Sequence, residues 1–308
     1  MEKNDKKPRK VKKTADENDR IEILPVEGED YIFKTVPPYI SQGRELEIFK
    51  SHLESGIPIL LKGPKGTGKT LSLAYFADKE GIPIIQTDLS EQTKRYDLLG
   101  RFLLIGNDIK FLLGEMSRAI VIANRFGATV LVFEEINALT PHMQKTLNQL
   151  TDWRRHVYVP EIGKKYSLEK GAKLLIAATM NLSTYGGTYE INEDLKSRFR
   201  EMRMDYPSET KERKIVDELV QDVAPPLMRK ILTLANETRM AVETPEGLSY
   251  ALSTRDVVML FELYNVYKEQ LGEENAIKEI LQSVVDRYED RAERLTIQNR
   301  IRSIFGTL

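Results

Sequence analysis

The sequence predicts an α/β fold: a three-layer αβα core, with helices on both faces of a parallel sheet, followed by an all-helical domain. Three observations predict it. A glycine-rich loop closing on Lys-Thr lies between an apolar run and a helical stretch. Further short apolar runs, several of them closing on a polar residue, alternate with helical stretches as far as Pro207. From Ser208 onward the chain reads as helix almost throughout. The expected organisation is a disordered basic leader (residues 1–20), an α/β domain (21–207) and a helical domain (208–308).

The 308 residues leave room for two domains and a large buried core. With 46 basic and 47 acidic residues the net charge is −1, so no global field selects a partner. The lack of cysteine excludes disulfides, thiolate metal sites and cysteine nucleophiles, and fits a reducing, cytoplasmic setting. His52, His142 and His156 stand far apart and have no metal-ligand spacing. No apolar run approaches the roughly 18 residues of a membrane span, and no secretory signal is visible.

Gly63-Pro64-Lys65-Gly66-Thr67-Gly68-Lys69-Thr70 fits the pattern G-x-x-x-x-G-K-[ST] without mismatch. The apolar run 57–61 before it reads as a strand, and 71–79, opening at Leu71, as a helix. The glycines let backbone N–H groups approach phosphate oxygens, and the helix N-terminus adds unpaired donors. Lys69 would reach the β- and γ-phosphates, and the Thr70 hydroxyl would ligate Mg²⁺. Residues 63–71 are thus the expected nucleotide-binding run.

Before the loop, residues 21–40 look extended and 42–55 helical, with Gly56 as the stop. After it, 82–87 is a second strand. Residues 102–105 and 109–112 form a hairpin whose tip is Gly106-Asn107-Asp108. A helix over 115–124 leads to the strand 130–133, which ends on Glu134-Glu135. Two acids at a strand end fit a plain exposed turn. Downstream of a phosphate loop they fit better as a metal-holding carboxylate, Glu134, and a base that deprotonates the attacking water, Glu135. The first of such a pair is ordinarily Asp; the extra methylene moves the carboxylate by roughly 1.5 Å. A helix from Pro141 to Trp153 and a second hairpin (156–160, 164–168) precede a third strand, 173–179. It ends at Asn181, an amide placed to bond the attacking water or the γ-phosphate. Residues 202–204 give the last core strand. The helices expected beyond it are 211–222, 226–238, 254–271 and one long helix over 274–304.

Together these motifs resemble the AAA+ ATPases, and within them the MoxR-type branch with its CbbQ, NorQ and GvpN relatives. Asp97-Leu98-Leu99-Gly100-Arg101 with its hairpin matches that branch's insertion in the second helix, and Glu134-Glu135-Ile136-Asn137 its D-E-I-N. Gly187-Thr188-Tyr189, followed by Glu193, Arg198 and Phe199, keeps the spacing of the segment G-T-Y-x-x-x-E-x-x-x-x-R-F. Ser253-Thr254-Arg255 corresponds to the sensor 2 segment.

The resemblance implies a P-loop NTPase core with a helical lid, and a site for ATP and Mg²⁺. It implies Asn181 as sensor 1, Arg255 as sensor 2 and Arg198 as an arginine finger serving the neighbouring subunit, with Arg200 a competitor for that role. It also implies a homo-oligomeric ring of about six, because a head-to-tail contact that closes makes a ring. Its client would be a protein complex, with a von Willebrand A domain protein as an expected partner. A nucleic-acid motor is the less favoured alternative: the leader is basic, but the first hairpin tip is acidic at Asp108. A nucleotide-gated scaffold with little turnover is a third reading, supported by Glu134 alone.

Overall fold

The computed structural model describes residues 21–181, 189–242, 244 and 247–306. The leader and Gly187-Thr188 lie outside them. After a two-residue strand β1 (Glu22–Ile23), helix α1 (Glu45–Ser55) leads into the first core strand, β2 (Ile59–Lys62). The glycine loop joins β2 to α2 (Lys69–Glu80), and β3 (Ile84–Asp88) follows. A short helix α3 (Arg95–Leu99) opens the hairpin of β4 (Gly100–Ile105) and β5 (Asp108–Leu113). Helix α4 (Glu115–Phe126) returns the chain to the core at β6 (Ala128–Glu134). Then come α5 (Pro141–Thr151), a second hairpin of β7 (His156–Val159) and β8 (Lys164–Ser167), and β9 (Lys173–Met180). The short α6 (Glu193–Lys196) precedes the last strand, β10 (Arg200–Arg203). The remaining elements are helical: α7 (Glu209–Leu219), α8 (Pro225–Val242), α9 (Thr254–Leu271), α10 (Glu273–Val285) and α11 (Arg291–Phe305).

Five strands form one parallel sheet in the order β10-β2-β9-β6-β3. Parallel neighbours need crossovers, and helices supply them on both faces. The strand residues alternate between two layers. Leu60, Leu131, Phe133 and Ile176 pack with α4 and α5 through Ile120 and Leu147. Ile59, Leu61, Val130 and Val132 pack with α1 and α2 through Phe49, Leu73 and Phe76. Each fully buried side chain of this size stabilises by about 1.5–3 kcal/mol. Burial on both faces is why the strands read as unbroken apolar runs rather than alternating ones. The helical part has its own core, where Val257, Phe261 and Tyr264 of α9 meet Ile280 and Val284 of α10. Among the described residues no helix is long and apolar enough to cross a membrane.

The sheet fixes the location of the chemistry. β2, β9 and β6 are adjacent and parallel, with Lys62 opposite Met180 and Phe133 opposite Ala178. The glycine loop, Asn181 and Glu134-Glu135 therefore emerge side by side at one edge, as ligand sites in open parallel sheets do.

The sequence expectations differ from the structure in three places. The helix expected over 274–304 is two helices, α10 and α11. Tyr288 is fully buried and donates its hydroxyl to the Tyr250 carbonyl at 2.8 Å, which turns the chain. Asp290 then caps α11, accepting from the Ala292 and Glu293 amides at 2.7 and 3.1 Å. The helix before the second hairpin stops at Thr151; Asp152 is extended, and Trp153 is 85% exposed. The segment 21–40 is not merely extended: β1 pairs parallel with β5 of the first hairpin, and a 3₁₀ turn covers Gly28–Tyr31.

Candidate active site

The loop between β2 and α2 is shaped by two glycines in the left-handed region, Gly66 at φ +73° and Gly68 at φ +86°. Gly66 is required twice over, because a Cβ there would sit 2.4 Å from the Ser253 hydroxyl. Lys69, the first residue of α2, turns back into the loop. Its Nζ donates to the carbonyls of Gly63 at 2.9 Å and Pro64 at 2.6 Å, and to Asn181 Oδ1 at 3.1 Å. The Asn181 amide in turn donates to Glu135 Oε1 at 2.9 Å. Thr70 Oγ1 donates to Glu134 Oε2 at 2.8 Å. One hydrogen-bonded line thus runs from the loop through Lys69 and Asn181 to Glu135.

Glu135 itself stands at φ +52°, uncommon for a residue with a Cβ. Its amide donates to Thr179 Oγ1 at 3.2 Å. The turn re-aims the carboxylate from the end of β6 toward Asn181, the kind of local strain that collects at functional sites. Nothing in the sequence around Glu135 signals this conformation.

These groups line a cleft of about 680 Å³. Residues 65–71, Glu134, Glu135 and Asn181 form its sheet side, and Arg255 enters from the first turn of α9. Of the predicted loop residues, Gly63 and Pro64 contribute carbonyls to Lys69 rather than cleft surface. Arg198 is not brought into the cleft. It lies in the turn before β10, paired with Asp152 at 3.3 Å and Asp194 at 2.9 Å, and its Nε is buried without a partner.

Residues 58–199 match the family model "AAA domain (dynein-related subfamily)". The match takes in 142 of the 308 residues, just under half of the chain. It is 29% identical to "Protein NorQ" of Paracoccus denitrificans (strain Pd 1222) over 180 residues, 58% of this chain and 64% of that one. It is likewise 29% identical to "Protein CbbQ" of Hydrogenophilus thermoluteolus, over 74% of this chain and 82% of that one. With "Denitrification regulatory protein NirQ" of Pseudomonas aeruginosa the identity is 27%, over 58% and 66%. The match thus spans just under two thirds of NorQ and NirQ. These relatives, at modest identity, carry the likeness to MoxR-type AAA+ ATPases over the matched residues.

The rest of the cleft comes from segments that no motif marks. Tyr39 and Ile40 form one wall; Ile215 of α7 and Met259 of α9 face them. The Pro37-Pro38 pair ahead of α1 is the only local hint. Glu45 fastens this wall. Its carboxylate accepts from Tyr39 and Ser41 at 2.8 Å each and from the Gln42 and Gly43 amides at 2.6 and 2.7 Å. Burial alone would push that carboxyl up, but these hydrogen bonds hold it below its usual range. Gln42 also donates to the Thr67 carbonyl at 3.2 Å, which ties the wall to the phosphate loop.

Burial raises the Glu134 carboxyl, and the charges of Asp88 and Glu135 push it the same way, against the Thr70 hydrogen bond. A carboxylate and a hydroxyl converging there fit a divalent cation, whose charge would favour the ionised carboxylate. Mg²⁺ suits them, since it takes one or two protein oxygens and leaves the rest of its shell to phosphates and water.

Burial, reinforced by Arg255 and Lys65 and opposed by Glu135, draws Lys69 down to about 8. Phosphate oxygens favour the charged ammonium and raise it again. Nucleotide binding near pH 8 is therefore expected to take up a proton, and ATP affinity to fall as pH rises through that value. Calorimetric titration in two buffers of different ionisation enthalpy measures the uptake. Identical heats in both would show Lys69 already fully charged.

Proposed function

We propose that this chain is a MoxR-type AAA+ ATPase that works as a ring of about six subunits and spends ATP on remodelling a protein client or a metal-cofactor complex. The observation that carries the reading is the line Lys69–Asn181–Glu135 beside Thr70–Glu134, with Arg255 facing it from the helical part. In it, Lys69 and the loop amides bind and orient the β- and γ-phosphates. Asn181 holds Glu135 toward the attacking water, and Glu135 takes the proton. Thr70 and Glu134 would hold Mg²⁺, which supplies charge neutralisation at the phosphate oxygens. Arg255 contacts the γ-phosphate from its own subunit. Arg198 serves the neighbour's nucleotide as a finger. Loss of the γ-phosphate frees Arg255, and the helical part then shifts against the sheet.

A protein client is favoured by the first hairpin. Around its tip Leu104 and Ile109 are 73% and 63% exposed and Asp108 is acidic, which suits a protein surface better than a nucleic-acid backbone, although Arg101 and Phe102 at its base are exposed as well. A von Willebrand A domain protein is the expected partner on the strength of the family resemblance. Lys69→Ala is expected to abolish ATP binding and ATP-dependent assembly together. Light scattering after size exclusion, with and without ATP, checks this: wild type should gain about sixfold in mass. A wild-type mass that stays at one chain in ATP would count against the ring.

A further inference from the structure

The first turn of α9 carries Arg255 between two buried ionic contacts. On one side, Thr254 Oγ1 donates to Glu212 Oε1 at 2.7 Å. Glu212 is fully buried and is gripped at two points by Arg239, at 2.8 and 2.7 Å. Arg239 also donates from Nε to the Leu252 carbonyl at 2.8 Å, and its guanidinium lies 4.2 Å from the centre of the Tyr206 ring. On the other side, Asp256 accepts from Arg287 at 2.5 Å, from the Ser253 amide and hydroxyl at 2.8 and 2.7 Å, and from the Tyr250 hydroxyl. Ser253, the cap of α9, rests against Gly66 of the phosphate loop. Among the described residues, no hydrogen bond or ion pair engages the Arg255 side chain. The backbone at the start of α9 therefore fixes where this side chain leaves the helix and enters the cleft.

A buried ion pair is a weak source of net stability, because desolvation offsets most of its attraction. Its neighbours Val216 and Leu252 are apolar and fully buried, so packing alone does not call for charges there. What the pair does is fix geometry. Glu212 is on α7, Arg239 on α8 and Thr254 on α9, while Tyr206 lies in the connection leaving β10. The position of Arg255 is thus referred to the sheet as well as to the helical core. We propose that Glu212 and Arg239 are positioning residues, which hold the start of α9 through Thr254 and Leu252 so that Arg255 meets the γ-phosphate. This rests on the reading of Arg255 given above.

Two variants of the full chain test it. Thr254→Val removes the hydroxyl and leaves the ion pair. Glu212→Met with Arg239→Met replaces the pair by apolar groups of similar length, a change that buried pairs often tolerate. Each is made in the wild type and in an Arg255→Ala background, and kcat, KM and the separate affinities for ATP and ADP are measured. Both variants are expected to lower kcat by about 10- to 100-fold, as small misplacements of a catalytic group do, with ADP affinity unchanged. In the Arg255→Ala background they should add nothing further. If the losses instead multiply there, or ADP affinity falls with kcat, the pair is only structural. If Arg255→Ala lowers kcat and neither variant does, the positioning inference alone fails. If Arg255→Ala itself leaves kcat and the ATP-to-ADP preference intact, the γ-phosphate reading fails and takes the inference with it. Should the double-Met protein not fold, Thr254→Val decides.

Discussion

Arg198→Ala is expected to lower steady-state phosphate release by about 10³–10⁵ while leaving ATP binding intact. The guanidinium lies outside the cleft of its own subunit, so it contributes nothing to nucleotide affinity there. On the finger reading proposed above, its effect would belong to the transition state, where charge builds on the departing phosphoryl oxygens and a cation from the next subunit would stabilise it. Asp152 and Asp194 hold the side chain at the turn before β10. Arg154 also binds Asp152, through two contacts at 3.1 and 3.3 Å, and together these hydrogen bonds and charges keep that carboxyl down at about 2. The Asp152 carboxylate therefore stays ionised at any ordinary pH, and its protonation does not release Arg198. Arg198→Lys should recover little of the loss, because an ammonium cannot reproduce the planar fork. Arg200, at the start of β10, is the competing candidate; a full effect from Arg200→Ala and none from Arg198→Ala would reassign the finger.

Glu135→Gln is expected to cost about 10²–10⁴ in turnover, the usual worth of a positioned base, and to leave ATP bound and unhydrolysed. The amide keeps the size of the side chain and its hydrogen bond to Asn181, so the geometry survives and only proton acceptance is lost. That contrast separates it from Lys69→Ala, where binding itself goes. Single-turnover quench with labelled ATP distinguishes them. Retention of full turnover by Glu135→Gln would move the base elsewhere, with Glu134 the nearest alternative.

What could be read from the sequence was local. The phosphate loop is a contiguous pattern whose chemistry lies in its own backbone and two side chains, so eight residues sufficed. Glu134, Glu135 and Asn181 were legible because they terminate apolar strands, and parallel neighbours end at one edge. Both hairpins were visible from turn chemistry at Gly106-Asn107 and Gly163. The walls of the cleft were not legible. Tyr39, Ile215 and Met259 are far apart in the chain and meet only after the helical part packs on the sheet. The same holds for Glu212 and Arg239, which read as ordinary helical surface charges and are in fact buried. The long C-terminal helix was misread because its apolar stripe runs through Tyr288 without a pause. The break is enforced by a tertiary hydrogen bond and a cap at Asp290, and period alone is blind to both. Arg198 is singled out by family spacing alone, which says nothing of the carboxylates that hold it.

The most direct test of a shared active site is a mixing experiment between Arg198→Ala and Glu135→Gln proteins. Each alone should be nearly inactive, the first lacking the finger and the second lacking the base, while both still bind ATP. In a mixed ring, an Arg198→Ala subunit keeps its own base and can receive Arg198 from a Glu135→Gln neighbour. The account predicts phosphate release from an equimolar mixture well above the sum of the two separate rates. Release equal to that sum, in a mixture shown by light scattering to form rings, would contradict it.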